Sequence, residues 1–151
     1  MIFLYFFLLI TTNELTNVNT TKTYEQSWME ATAVINDLEV KLGVEKKKTA
    51  LAKESAEAWK RTVIEAMLMI SSMGWHAKPS KMSVERYQLA AQKAVALESA
   101  EAWNQTVIEV MLMISSIGRH AKPSNMSVER YQLAAQKAVA ATQLSHNADE
   151  A

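Results

Sequence analysis

The 151-residue chain is 49% apolar and 21% charged, which places it with domains that bury a core and excludes a disordered segment. Sixteen basic and sixteen acidic side chains cancel, so the electrostatic footprint of a nucleic-acid binder is missing, and the lack of cysteine excludes a disulfide framework or a thiolate metal site. Only three glycines and two prolines punctuate a sequence rich in Ala, Leu, Glu, Lys, Gln and Met, residues that lose little on entering a helix, and the fold class read from this is all-α.

In chain order the first feature is the unbroken apolar run "MIFLYFFLLI". It is shorter than the roughly 20 residues a membrane-spanning helix needs, but it has the length of the apolar region of a secretory signal. Residues 1–12 are therefore read as signal-peptide-like and residues 13–22 as a polar linker. That reading predicts a mature start after the first ten to fifteen residues and a secreted or cell-surface location. The run has no positively charged start, and Thr11 and Thr12 are a weak cleavage zone, so a membrane-surface anchor is the alternative.

Thr23 and Gln26 have capping-box spacing, and Tyr24, Trp28, Ala31, Ile35, Leu38 and Leu42 then step by 4 and 3. The spacing predicts a first helix over 23–42 that ends at Gly43, and a second from about Val44 to Met73. The basic run Lys46, Lys47 and Lys48 lies between Glu45 and Glu54 and reads as a solvated helix face.

Residues 54–97 and 98–141 are two copies of one 44-residue unit. Thirty-seven positions are identical, and the differences are Lys60/Asn104, Arg61/Gln105, Ala66/Val110, Met73/Ile117, Trp75/Arg119, Lys81/Asn125 and Leu97/Ala141. Surface and core positions match alike, so the identity reports copying and singles out no functional residue. A unit of this length normally stacks on a neighbour to bury its apolar face. The helical repeat domain is accordingly drawn over 23–146, with a polar tail at 147–151.

Each copy carries its own punctuation. Gly74 and Gly118 suit the left-handed position that ends a helix, and Pro79 and Pro123 in "HAKPS" cannot lie inside one. In "MSVERY", Ser83 reads as the N-cap, Glu85 sits in the first turn, and Met82 staples to Tyr87; Met126, Ser127, Glu129 and Tyr131 repeat the pattern. The result is an uninterrupted helix from about Val84 to Ile117, roughly 50 Å long, and a last helix from Val128 to about Ser145. The expected architecture is an antiparallel long-helix bundle or helical hairpin with coiled-coil-like packing.

Trp103, Val107, Val110, Ile114 and Ile117 fall within about 40° of one line on a helix, as do Trp59, Val63, Ala66, Ile70 and Met73. Ile64, Met67, Leu68 and Met69 carry the apolar arc further round, which leaves Glu65, Arg61 and Ser72 as the wet side. Glu65 and Glu109 thus read as solubilising residues on the solvent line. Val84, Tyr87, Ala91, Ala94 and Val95 point elsewhere, and the Ala-rich half is expected against the bulky "VIEAMLMI" half of the preceding unit.

No catalytic constellation emerges. His76 and His120 have no acidic or thiol ligand at a metal-binding spacing, and the serine pairs Ser71–Ser72 and Ser115–Ser116 have no base beside them. Trp59, Trp103 and the methionines read as core rather than ligand pocket. Asn19, Asn104 and Asn125 open glycosylation sequons that gain meaning only on a secretory route. No metal, cofactor or catalytic residue is assigned.

The expected function is an exported, non-enzymatic helical repeat protein that acts through protein–protein contact and self-association. A membrane-surface or lipid-binding amphipathic protein is the alternative, and a carrier of a small apolar ligand ranks below it. In an arrangement with a 34-residue inner helix, one end has only two helices and cannot cover the apolar arc. Ile64, Met67, Leu68, Met69 and Tyr87 are therefore the candidate contact residues of a homo-oligomer.

Overall fold

The computed structural model describes residues 2–16, 23–119 and 121–151, and these are all-helical. The elements are α1 (Ile2–Thr16), α2 (Tyr24–Ser72), α3 (Lys81–Leu97), α4 (Ala100–Ser116) and α5 (Asn125–Glu150). Contacts divide the chain into two units, 1–46 and 47–151, so α2 contributes residues to each.

In the first unit, α1 packs on the early turns of α2. Phe6 meets Trp28 edge to face at 5.6 Å between ring centroids, and Ala31 is buried beneath them. Ala31, Val34, Ile35 and Leu38 line a groove of about 280 Å³ with Ile2, Tyr5, Phe6 and Leu9. The 4 and 3 stepping of α2 thus finds a partner, although most of the apolar side chains of α1 from Ile2 to Leu9 stay exposed. The first helix does not end at Gly43: α2 continues through it. An isolated glycine costs about 1 kcal/mol in a helix, and the strong helix formers on both sides outweigh that.

The second unit holds the repeat. Its core comprises Ala56, Trp59, Val63 and Ala66 of α2, Ala94 of α3, Trp103, Val107, Val110 and Met113 of α4, and Ala138 of α5. The two seams predicted from the sequence therefore form its centre, and Ala66 and Val110, equivalent positions in the two copies, are both 0% exposed. Alanines of α3 and α5 supply the small surfaces against which the bulky seams fit.

Gly74 and Gly118 adopt φ of +92° and +94°, the left-handed conformation expected after a helix end. The N-caps, however, are Ser80 and Ser124, one turn earlier than Ser83 and Ser127. Each follows the proline in extended conformation, and its hydroxyl accepts the Ser83 or Ser127 amide at 3.2 Å. Proline had already stopped the chain from being helical before Ser80, so the first serine able to cap does so. Ser83 and Ser127 then lie inside the first turn, buried, while Met82 and Met126 stay exposed and staple nothing.

The largest departure is at Glu98 and Ser99. The expected helix from Val84 to Ile117 is broken there: Glu98 takes φ 48°, ψ 30° and ends α3, and the Ser99 hydroxyl accepts the Ala102 amide to start α4. α4 folds back onto α3. As a result the end thought to contain two helices contains the termini of four, since Ser72 of α2 meets Ser124 and Ser127 of α5, and Ser116 of α4 meets Ser80 and Ser83 of α3. At the other end α5 runs on to Glu150 and takes up most of the polar tail, with His146 and Glu150 paired at 3.0 Å.

Candidate functional site

On α2, Ile64 and Leu68 stand one turn apart and are 54% and 42% exposed; their equivalents on α4, Ile108 and Leu112, are 46% and 44% exposed. Two of the candidate contact residues therefore lie on an outward apolar face, and each copy presents that face. Met67 is half-buried against the core, as is Tyr87. Met69 is only 3% exposed and belongs to the core, as does Met113. The reason is angular: Met69 lies one turn beyond Ala66 and between Glu65 and Ser72, on the side of α2 that meets Arg130 and Ser127 of α5.

Glu65 and Glu109 do not mark the solvent line. Their side chains are 15% and 9% exposed, and each pairs with an arginine of the other copy, Glu65 with Arg130 at 3.3 Å and Glu109 with Arg86 at 3.4 Å. The paired Oε2 atoms are buried and make no hydrogen bond among the described residues. A carboxylate in the middle of an apolar block is tolerated because an arginine of the facing helix neutralises it while the arginine side chain as a whole stays more than half exposed.

Serine hydroxyls build the adjoining end. Ser72 Oγ donates to the Met69 carbonyl at 2.7 Å, accepts the Ser124 amide at 3.0 Å and lies 3.0 Å from Ser127 Oγ. Ser116 repeats this with Met113 at 2.6 Å, Ser80 at 2.9 Å and Ser83 at 3.2 Å. These hydroxyls satisfy helix termini rather than serve as nucleophiles. The bonds of Ser72 to Ser124 and Ser127 and of Ser116 to Ser80 and Ser83 run between copies, as do the two ion pairs, so each copy supplies what the other lacks.

At the opposite end, Ser55 Oγ and Trp59 Nε1 converge on Thr142 Oγ1 at 2.8 and 2.7 Å, and Lys60 Nζ lies 5.9 Å from the Trp103 ring centroid. A groove of about 990 Å³ opens there, bordered by both tryptophans but also by Lys53, Glu57, Glu101 and Asp149. Such a rim is more charged than an apolar-ligand carrier needs, and the indoles are spent on packing and on Thr142.

His76 stacks on Trp75 with ring centroids 3.6 Å apart in an exposed turn, and His120 lies outside the described residues. Among the described residues no three His, Asp or Glu side chains gather as a metal site. Burial raises the Tyr131 phenol above its ordinary range. Of the sequon asparagines, Asn125 is exposed at the first turn of α5, Asn104 is half-buried on α4 beside the fully buried Thr106, and Asn19 lies outside the described residues.

Sequence reasoning missed the Glu–Arg exchange and the serine bridges. The signals were present: a lone glutamate inside an apolar block, and serines at Ser80 and Ser83 three residues apart, in both copies. Only the facing helix identifies the partner. In comparison with known proteins, no family model matches the chain, and no curated protein or solved structure matches it significantly.

Proposed function

We propose that this chain is a non-enzymatic helical repeat protein, exported or surface-associated, that acts through protein–protein contact, including contact with a second copy of itself. The observation that carries the reading is the outward pair Ile64 and Leu68 with its equivalent Ile108 and Leu112, four large apolar side chains that stay between 42% and 54% exposed on α2 and α4. Exposed apolar faces of this kind are covered in use by another surface. The antiparallel, coiled-coil-like packing of the two copies gives that face a rigid base.

The test is sedimentation equilibrium at high micromolar concentration. The wild type is expected to associate, and Leu68→Glu is expected to keep its helical spectrum while dissociating. A wild type that stays monomeric across the range contradicts the proposal. Export is tested separately by intact mass from the native source, where removal of the first ten to fifteen residues is expected.

A second reading, attachment to a membrane surface, is favoured by α1, whose Ile2, Phe3, Leu4 and Tyr5 are exposed. Among the described residues no helix is long and apolar enough to cross a membrane. Flotation with liposomes separates the readings, because a protein-contact module stays at the bottom of the gradient.

A further inference from the structure

The stretch Glu-Ser-Ala-Glu-Ala-Trp occurs twice, at 54–59 and at 98–103. In the first copy it lies within the continuous helix α2. In the second it contains the break between α3 and α4, with Glu98 in the left-handed region and Ser99 as N-cap. The loops 73–80 and 117–124 each contain a glycine and a proline, but from Lys81 to Ile117 there is neither. Glu98 is the one non-glycine residue at positive φ among the described residues, a conformation in which Cβ crowds the following carbonyl. The hinge is thus a sequence able to be helical, held open by what packs on either side of it.

Every contact across that hinge joins the α2–α3 half of the unit to the α4–α5 half. Arg86 reaches Glu109 and Ser83 reaches Ser116, between α3 and α4; Glu65 reaches Arg130, Ser72 reaches Ser127 and Trp59 reaches Thr142, between α2 and α5. If the hinge straightens, each chain is left with one half, α2 and α3, and another half, α4 and α5, that no longer meet. A second chain in the same state offers the complement of each.

We infer that two chains exchange halves: α3 and α4 join into one helix through Glu98 and Ser99, and the α2–α3 half of each chain packs on the α4–α5 half of the other. The exchanged dimer keeps every contact named above, relieves the left-handed backbone at two hinges, and gives up only the Ser99 caps. This gives the second copy of the self-association reading a further way to associate and rests on that reading, but it does not use the Ile64–Leu68 face, so Leu68→Glu is expected to break contacts made through that face and to leave the exchanged dimer formed on refolding intact. Short hinges under strain favour such an exchange.

The chain has no cysteine, so an engineered pair reports cleanly. Ser83→Cys with Ser116→Cys places two thiols where the hydroxyls are 3.2 Å apart, and Ser72→Cys with Ser127→Cys does the same at 3.0 Å on the other side of the unit. Full-length protein is refolded at low and at high concentration, separated into monomer and dimer, oxidised, and run under denaturing, non-reducing conditions. The dimer fraction is expected to give covalent dimers with either pair, and the monomer fraction an intrachain loop. In the cysteine-free background, Ser99→Ala should raise the dimer-to-monomer ratio about fivefold per hinge by removing the cap that only the closed form has. Glu98→Gly should lower that ratio, because glycine accepts the left-handed conformation freely. A dimer that yields only intrachain loops, or a ratio that neither hinge variant moves, overturns the exchange while leaving self-association standing; no dimer at any concentration overturns both.

Discussion

Residues 54–59 and 98–103 are the same six amino acids in two conformations, helix interior in α2 and a chain reversal between α3 and α4. Local propensity therefore does not decide between them. Serine is an adequate helix residue and a strong N-cap, and glutamate is a good helix former that enters the left-handed region only at a cost. What differs is the surrounding structure. The first stretch continues the helix that precedes it, whereas the second is preceded by α3, whose Arg86, Ser83 and Ala94 meet α4 when it folds back. The lesson is that in a duplicated chain the copies share residues but not neighbours, and the neighbours choose among the conformations the residues allow.

Removing the tryptophan that ends each stretch should cost the most stability. Trp59→Ala and Trp103→Ala each empty a buried site, and urea unfolding followed by circular dichroism should show a loss of about 3–5 kcal/mol for either. Trp59→Ala is expected to be the worse of the two, since its indole also donates to Thr142 at 2.7 Å. Equal losses would mean that this bond adds nothing.

A smaller effect tests what holds α4 against α3. Arg86→Ala leaves the buried Glu109 carboxylate unpaired and should cost about 1–2 kcal/mol, a value reduced from that of a fully buried pair because Arg86 is 58% exposed. Combining it with Glu109→Leu should restore most of the loss. If the double variant is no better than Arg86→Ala, the pair is not what the glutamate needs.

The smallest effect is the most particular to the comparison. Glu98→Gly should stabilise the monomer by about 1 kcal/mol by relieving the left-handed backbone, and Glu54→Gly, the same change in the other copy, should destabilise it by about 1 kcal/mol as glycine does inside a helix. Opposite signs in chemical unfolding midpoints are the expected outcome, and equal signs would place both glutamates in one conformation.

Much of the fold was legible before any coordinates. Composition carried the all-α class, Gly74 and Gly118 carried two helix ends, and the Trp59 and Trp103 seams carried the core. The helix starts were misplaced by one turn because Ser80 and Ser83 are both competent caps, and only the extended backbone after Pro79 selects the first. The break at Glu98 was illegible because no glycine or proline marks it. That single omission propagated into the candidate site. With α4 drawn as a continuation of α3, Met69 is a candidate contact residue and Glu65 marks the solvent line; with α4 folded back and α5 against α2, Met69 is buried and Glu65 is paired with Arg130. Ile64 and Leu68 stay about half exposed with α4 folded back.

One sequence holds two conformations in the closed chain, and backbone carbon chemical shifts of the purified monomer distinguish them. Cα shifts at Glu54, Ser55 and Ala56 should be helical, while those at Glu98 and Ser99 should depart from helical values on either side of helical Leu97 and Ala100. Helical shifts running without interruption from Val84 to Ile117 in a monomer would contradict the folded-back α4, and with it the exchange of contacts between the two copies.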